Sequence, residues 1–143
     1  MTLTLALADK IIDGTLRYAR ENNVNPLAVV VLDAGAHPVA FKREDKASLY
    51  RFDIAMAKAK GALGMGFNTR GIAERAKNNP VFFASVTAIS GVELALSPGG
   101  NLIKDSQGNI LGAVGISGDT GEVDEHCALA GIDAVAGELE NKA

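Results

Sequence analysis

The stretch NILGAVGISGDTGEVDEHCALAG, Asn109–Gly131, changes its hydrophobic period halfway along. Its first part, Asn109–Ser117, is short, apolar and rich in β-branched residues, which predicts a strand. The glycines of GISGDTG then predict a turn. From Glu122 to about Leu139 the pattern becomes helical, with an apolar stripe formed by Val123, Cys127, Ala130 and Ala134. A strand, a turn and a helix therefore follow one another at this end of the chain.

The remaining elements are predicted by the same two periods. A first amphipathic helix is expected over Thr4–Glu21, and a hairpin from the strands Leu27–Asp33 and His37–Arg43. We expect three further helices: from Ser48, as the capping residue, to Gly66, from Thr69 to Asn78 or Asn79, and from Pro80 to a stop at Gly91. The turn DSQGN is expected to join a strand at Asn101–Lys104 to the strand Asn109–Ser117.

These elements predict an α+β fold. Two antiparallel hairpins that share one sheet, with helices packed on it, fit the order of elements better than a parallel doubly wound sheet. Alanine and glycine between Ala55 and Gly66 indicate close contact between that helix and its neighbour. A chain of 143 residues is expected to form one domain, over residues 1–143.

Composition excludes several classes of partner. The net charge is −3, and no basic run is longer than Lys42-Arg43, which argues against nucleic-acid binding. No apolar run reaches the length of a membrane span. The N-terminal residues do not resemble a signal peptide, and a single cysteine cannot form an internal disulfide, so we expect a cytoplasmic protein.

The row Asp124, Glu125, His126 and Cys127 invites three chemical interpretations. The preceding glycines do not match a phosphate loop, which needs a Lys-Ser/Thr pair, although the helix start leaves open a generic anion site or simple helix capping. Consecutive helical residues diverge by about 100°, so these four side chains cannot converge on a metal ion. Because Cys127 lies on the apolar stripe, it is expected to be a buried, structural thiol.

Two cations and one loop are stronger candidates for a binding site. Lys58 lies on an Ala/Gly-rich helix stripe with Ile54 and Ala62, so partial burial would require a carboxylate partner or a bound anion; the alternative is a surface lysine. Arg43 ends a strand, where ligand-binding groups are common, or forms a surface ion pair. The paired glycines Gly99-Gly100 permit close backbone approach to a ligand, or form a plain turn.

Three stretches, VVLDAGAHPVAFKREDKAS, DIAMAKAKGA and GGNLIKDSQGNILGAVGISGDTGEVDEHCALAG, resemble the GlcG/HbpS haem-binding-like family, which includes the C-terminal domain of PduO-type corrinoid adenosyltransferases. The resemblance covers almost the whole chain. It implies a profilin-like antiparallel sheet with packed helices and assembly into homo-oligomers, from dimers to octamers. The ligand-binding residues that it implies are Arg43, Asp45, Lys58, Gly99, Gly100, Asp124 and Glu125.

The function implied by the resemblance is the binding of haem, a corrinoid or a related small organic anion, in a family that also occurs in catabolic operons. In the PduO-type branch a histidine of the first helix ligates haem. The first helix here has none, so the candidate ligands are His126, His37 and Tyr18. Two alternatives stay open: an isomerase, lyase or hydrolase of a small carboxylated metabolite, with Arg43 holding the carboxylate and Lys58 or Asp124 moving protons, and a scaffold without a ligand.

Overall fold

The computed structural model describes residues 1–89 and 91–141. Four strands form one antiparallel sheet in the order β2-β1-β4-β3. They are β1 (Ala28–Asp33), β2 (Pro38–Arg43), β3 (Gly100–Lys104) and β4 (Ile110–Ser117). The helices are α1 (Leu5–Glu21), α2 (Arg51–Met65), α3 (Thr69–Asn78), α4 (Pro80–Thr87) and α5 (Gly121–Asp133), followed by a 3₁₀ turn at Ala136–Leu139. The α+β prediction with two hairpins in one sheet is confirmed.

The two faces of the sheet carry different side chains. On one face, large aliphatic residues such as Val29, Val31 and Ile116 pack against α1 and α5. On the other face, smaller residues such as Ala28 and Ala113 pack against the alanines of α2. Helix α2 therefore lies closer to the sheet than a helix with larger side chains could.

Glycines make this close approach of α2 feasible. Gly100 and Gly115 are paired across β3 and β4. A Cβ on Gly115 would collide with the carbonyl oxygen of Ala55 and lie 3.0 Å from the Cβ of Ala59. A Cβ on Gly100 would meet the carbonyl of Lys58 in the same way. The helix backbone thus rests directly on the sheet, as the Ala/Gly content of the sequence indicates.

The β3–β4 turn forms as its residues predict. The carboxylate of Asp105 accepts hydrogen bonds from the side-chain amide of Asn109 at 3.0 Å and from the backbone N–H groups of Asn109 and Gln107, both at 2.9 Å. These hydrogen bonds, led by that of the Asn109 amide, lower the pKa of Asp105 to about 2. Gly108 supplies the positive φ of 83° that the turn requires.

Helix ends differ from the sequence predictions at three places. The helix that begins at Pro80 ends at Thr87, before the predicted stop at Gly91. Ser48 does not cap α2: the capping position is Tyr50, and the Ser48 hydroxyl instead accepts a hydrogen bond from the Arg51 side chain at 3.0 Å. The last helix ends at Asp133 rather than near Leu139. The tighter turn that follows allows both Val135 and Leu139 to reach the core beneath α1 and α5.

In the part of the chain that the structure describes, every helix is too short or too polar to traverse a bilayer.

The close contact between α2 and the sheet predicts opposite effects for two glycine substitutions. Gly115→Ala should lower the free energy of unfolding by about 1–3 kcal/mol, because the new methyl group meets the α2 backbone. Gly64 lies on the exposed side of α2, and no atom lies within 4 Å of a Cβ added there. Gly64→Ala should therefore raise the free energy of unfolding by about 0.5–1 kcal/mol. Urea denaturation measures both. Equal effects of the two substitutions would contradict the proposed packing.

Candidate functional site

A buried ion pair connects α2 to α5. The Lys58 Nζ lies 2.9 Å from Asp124 Oδ2 and donates a second hydrogen bond, also of 2.9 Å, to the carbonyl oxygen of Ile116. The two side chains are 3% and 1% exposed. Of the two partners that the sequence left open for Lys58, a carboxylate or a bound anion, the structure provides the carboxylate.

Each charge of this pair is compensated within the protein. Burial lowers the pKa of Lys58 and raises the pKa of Asp124, and in both cases the opposite charge of the partner works against the shift. The second oxygen of Asp124 accepts the backbone N–H of Asp119 at 3.0 Å. These contacts favour the charged forms of both groups, so the pair joins two layers of the fold as a structural bridge.

The Gly99-Gly100 loop closes over this pair. Gly99 has a φ of 118°, and a Cβ there would lie 2.9 Å from Lys58 Nζ and 3.0 Å from the Asp124 Cβ. The N–H of Gly100 donates to the Thr69 hydroxyl at 2.9 Å, which connects the loop to α3. Gly99 and Gly100 thus lie close to the Lys58–Asp124 pair and to the α2 backbone.

The remaining predicted ligand-binding residues lie elsewhere. Glu125 points to α3 and accepts a hydrogen bond from Arg70 at 2.8 Å. Arg43 and Asp45 line a shallow groove with Leu16 at the end of β2. Because β1 lies between β2 and β4, Arg43 is about 10 Å from the end of β4 across the sheet. The structure thus brings together Lys58, Gly99, Gly100 and Asp124, but not Arg43 and Asp45.

One cation that acts on the pair was missed by the sequence analysis. Arg51 donates to the hydroxyl of Ser117 at 3.2 Å, and its charge contributes to lowering the pKa of Lys58. Arg70, the partner of Glu125, was also missed. Both residues stand at the start of a helix, and nothing in their sequence context distinguishes them from other surface arginines such as Arg43.

The row of four residues on α5 separates as helical geometry predicts. Asp124 accepts a hydrogen bond from Lys58, and Glu125 accepts one from Arg70. Cys127 is fully buried in the core. His126 lies on a different side of the helix, in the groove described below. Within residues 1–89 and 91–141, no three side chains of the metal-ligating types converge.

An open groove between α1 and α5 is the strongest candidate for ligand binding. It has a volume of about 660 Å³ and is lined by Tyr18, His126, Leu129, Ala130, Ile132 and Asp133. We call it the α1–α5 groove. Its two ring side chains come from different helices, 108 positions apart in sequence.

Close crossing of the two helices brings these side chains together. A Cβ on Gly131 would collide with the Thr15 hydroxyl, and one on Gly14 would lie 2.8 Å from the Cβ of Ala134. His37, the other histidine, lies in the β1–β2 turn, where its ring is 3.3 Å from Asp33 Oδ1. That turn is near the start of α1, whereas Tyr18 is near its end, so His37 does not belong to the groove.

The donor atoms of the α1–α5 groove suit a haem. A tyrosine phenol oxygen and a histidine imidazole nitrogen are both axial ligands of haem iron in proteins. Leu129 and Ile132 provide apolar surface for a macrocycle, and Leu129 is 48% exposed. The residues present therefore fit this cofactor, with Tyr18 or His126 able to hold the iron.

The antiparallel sheet between two layers of helices places the chain in the class of α+β sandwich domains. A family model described as "Haem degrading protein HbpS-like" matches residues 3–133, and the chain belongs to this family. The resemblance noted from the sequence is thereby confirmed. A 15.0 kDa protein of Citrobacter freundii, from the dhaT-dhaS intergenic region and described as uncharacterised, is 30% identical over 132 residues, which cover 92% of this chain and 91% of that protein.

Solved structures share the fold over most of the chain. The protein ORFY of Klebsiella pneumoniae is 26% identical with a TM-score of 0.84, covering 94% of this chain and 90% of its own. A double mutant of HbpS from Streptomyces reticuli is 25% identical with a TM-score of 0.81, covering 94% and 88%. A complex of PduOC with haem, at 22% identity, 94% and 95% coverage and a TM-score of 0.84, shows likeness of fold.

Breaking the buried ion pair should be strongly destabilising. Lys58→Met should lower the free energy of unfolding by about 3–5 kcal/mol, because it leaves the Asp124 carboxylate buried without its partner. The double variant Lys58→Met with Asp124→Leu should recover most of this loss. Lys10→Met, which removes an exposed pair with Glu138, is the control and should change stability by about 1 kcal/mol or less. A small effect of Lys58→Met in urea denaturation would refute the bridging role.

The thiol of Cys127 should be unreactive in the folded protein. Burial raises the pKa of Cys127 to about 12, so almost no thiolate forms near neutral pH. A thiol-specific chromogenic reagent at pH 8 should therefore react only slowly with the native protein, and rapidly once denaturant has unfolded it. Fast labelling of the native protein would mean that the α5 helix opens readily.

Proposed function

We propose that this protein binds haem, or a tetrapyrrole closely related to it such as a corrinoid, in the α1–α5 groove. The observation that carries the proposal is the meeting of Tyr18 and His126, from two helices, in one open groove with exposed apolar side chains. Either side chain can supply the axial ligand. Tyr18 has the further support that it lies on the first helix, the element that carries the haem-ligating histidine in the PduO-type branch.

The relatives support the same ligand class. The matched family is described as haem-degrading, and PduOC forms a complex with haem. In this chain the lining of the groove includes one acidic side chain, Asp133, which would repel the propionates of haem. We therefore expect the apolar part of the macrocycle to lie against Leu129 and Ile132, with the propionates directed away from Asp133.

A binding function explains the buried cluster better than a catalytic one does. Lys58 and Asp124 hydrogen-bond each other and are almost completely buried. They therefore hold α2 and α5 together and do not face a substrate. A bound tetrapyrrole would bring its own chemistry, while the protein would position it and exclude water from one side. We further propose that the protein is a homo-oligomer, as the family resemblance implies.

Titration with hemin tests the proposed function. The wild-type protein should shift and sharpen the Soret band with saturable binding. Tyr18→Phe or His126→Ala, whichever removes the axial ligand, should weaken binding at least about tenfold, which is about 1.4 kcal/mol. The absorption spectrum of the ferric complex should distinguish a phenolate ligand from an imidazole ligand. His37→Ala is the matched control, because His37 is the second histidine of the chain and lies outside the groove. This variant should bind hemin as the wild type does.

The absence of a Soret shift in the wild type would refute haem binding. Unchanged hemin binding in both Tyr18→Phe and His126→Ala would show that the haem is not bound in the α1–α5 groove. If bound hemin loses its Soret band faster than free hemin in the presence of a reductant and dioxygen, and keeps it when dioxygen is removed, the function extends from binding to degradation.

A further inference from the structure

A second pocket lies beside the second half of α2, on the opposite side of the sheet from the α1–α5 groove. Its volume of about 530 Å³ is typical of small-molecule sites. It is bounded by the β1–β2 turn at residues 34–36, by α2, by Val86 of α4 and by residues 91–94. We call it the α2 pocket. It shares no lining residue with the α1–α5 groove, so the proposed haem site does not account for it.

Most of the lining of the α2 pocket is apolar. Leu63, Val92 and Leu94 supply aliphatic side chains. A Cβ added to Gly61 would lie 3.0 Å from Leu94 Cδ2, so Leu94 packs closely on α2. At Gly64, which is exposed, an added Cβ would meet no atom within 4 Å, and this glycine leaves the mouth of the pocket open. The apolar part of a ligand would gain free energy on transfer from water into this lining.

One wall of the pocket is fixed before any ligand arrives. In the β1–β2 turn, the Asp33 carboxylate accepts hydrogen bonds from the N–H groups of Gly35 and His37, both at 2.9 Å. The N–H of Ala36 donates to the carbonyl oxygen of Asp33, also at 2.9 Å. The turn therefore presents Ala36 to the pocket in a defined position, and a preformed wall lowers the entropic cost of binding.

The two charged groups of the pocket form a pair with each other. Lys60 Nζ donates to Glu93 Oε1 at 3.1 Å, and the two side chains are 35% and 46% exposed. They are the only charged side chains among the described residues that line the pocket. An ion pair this exposed contributes little to stability, so either partner can turn to a ligand at small cost.

This pair favours a ligand that carries both charges. An anion would be attracted by Lys60 but repelled by Glu93, a cation would meet the reverse, and an uncharged molecule would gain nothing from either group. An α-amino acid carries its ammonium and carboxylate groups on the same carbon atom. It can therefore enter between Lys60 and Glu93 and pair with both, while its side chain extends along the apolar lining.

We propose that the α2 pocket binds a free α-amino acid with a large apolar side chain. Lys60 holds the carboxylate of this ligand, and Glu93 holds its ammonium group. The side chain of the ligand lies against Leu63, Val92 and Leu94. The site is additional to the proposed haem site and does not depend on it.

Isothermal titration calorimetry with free amino acids tests the class of ligand. At least one of L-leucine, L-methionine and L-phenylalanine should bind saturably, with one site per chain. The strongest of the three is then compared with its N-acetyl derivative and its amide, each of which lacks one charge. Both should bind at least about tenfold more weakly, which is about 1.4 kcal/mol. The proposal is wrong if none of the three amino acids binds, or if either derivative binds as tightly as its parent.

A substitution that fills the pocket tests the location of the site. Gly64→Leu should weaken binding of the same amino acid at least about tenfold, because its side chain occupies the mouth of the pocket. Gly71→Leu is the matched control: Gly71 lies in α3, outside the pocket, and a Cβ added there also meets no atom within 4 Å. This variant should bind as the wild type does. Circular dichroism should show that both variants are folded, and unchanged binding in Gly64→Leu would overturn the proposal.

Substitution of the two charged residues tests their separate roles. Glu93→Gln should weaken binding of the free amino acid at least about tenfold, but it should not weaken binding of the N-acetyl derivative, which has no ammonium group. Lys60→Met should weaken binding of the free amino acid to a similar extent, but not that of the amide, which has no carboxylate. An equal loss for parent and derivative in both variants would contradict the assigned contacts.

Hemin titration of Gly64→Leu separates the two sites. Hemin should bind this variant as it binds the wild type, because the α1–α5 groove lies on the other side of the sheet. Loss of hemin binding in Gly64→Leu, with hemin binding intact in Gly71→Leu, would mean that haem occupies the α2 pocket. That result would overturn the amino-acid site.

Discussion

The ion pair between Lys58 and Asp124 is the constraint on which the arrangement of layers depends. Lys58 belongs to α2, on one face of the sheet, and Asp124 to α5, which packs on the other face. Their bond therefore fixes the two helices relative to each other at the end of β4, where Lys58 also binds the Ile116 carbonyl. An apolar bridge could hold the layers as firmly, but a charged pair tolerates little change in distance or direction, because a misplaced partner leaves a buried charge.

The glycines near this pair follow from the same constraint. Lys58 reaches Asp124 only because α2 lies directly on Gly100 and Gly115, and because Gly99 leaves space beside the ammonium group. The sequence GGNLIK resembles a ligand-binding loop, but its glycines are explained by the closeness of protein atoms. Small residues can indicate approach to a ligand or to the protein itself, and composition alone does not distinguish the two.

Local patterns in the sequence predicted most of the fold because they depend on neighbouring residues. The periods of α1 and β4, and the turn built on Asp105, place each element within a few positions of where the structure has it. The burial of Lys58 could also be inferred from its helix stripe. The identity of its partner could not, since Asp124 is 66 positions away and the connection runs through space. For the same reason Arg43 was singled out and Arg51 was not, although Arg51 is the one whose charge acts on Lys58.

The α1–α5 groove shows why a site can escape sequence analysis even when its residues are singled out. Tyr18 and His126 were separate candidates, and their meeting depends on how closely two helices cross, which Gly14, Gly131 and Ala134 determine. A β-carbon on Gly131 would force α5 away from α1 and widen the separation of the two ring side chains. The geometry of the groove is thus set by residues that do not line it. The same crossing leaves Leu129 exposed on the outer side of α5, on the surface that a planar apolar ligand would cover. The exposed helix α4 lies on the other side of the sheet. The sheet therefore lies between the α1–α5 groove and α4, so a change at one of these surfaces does not have to alter the other.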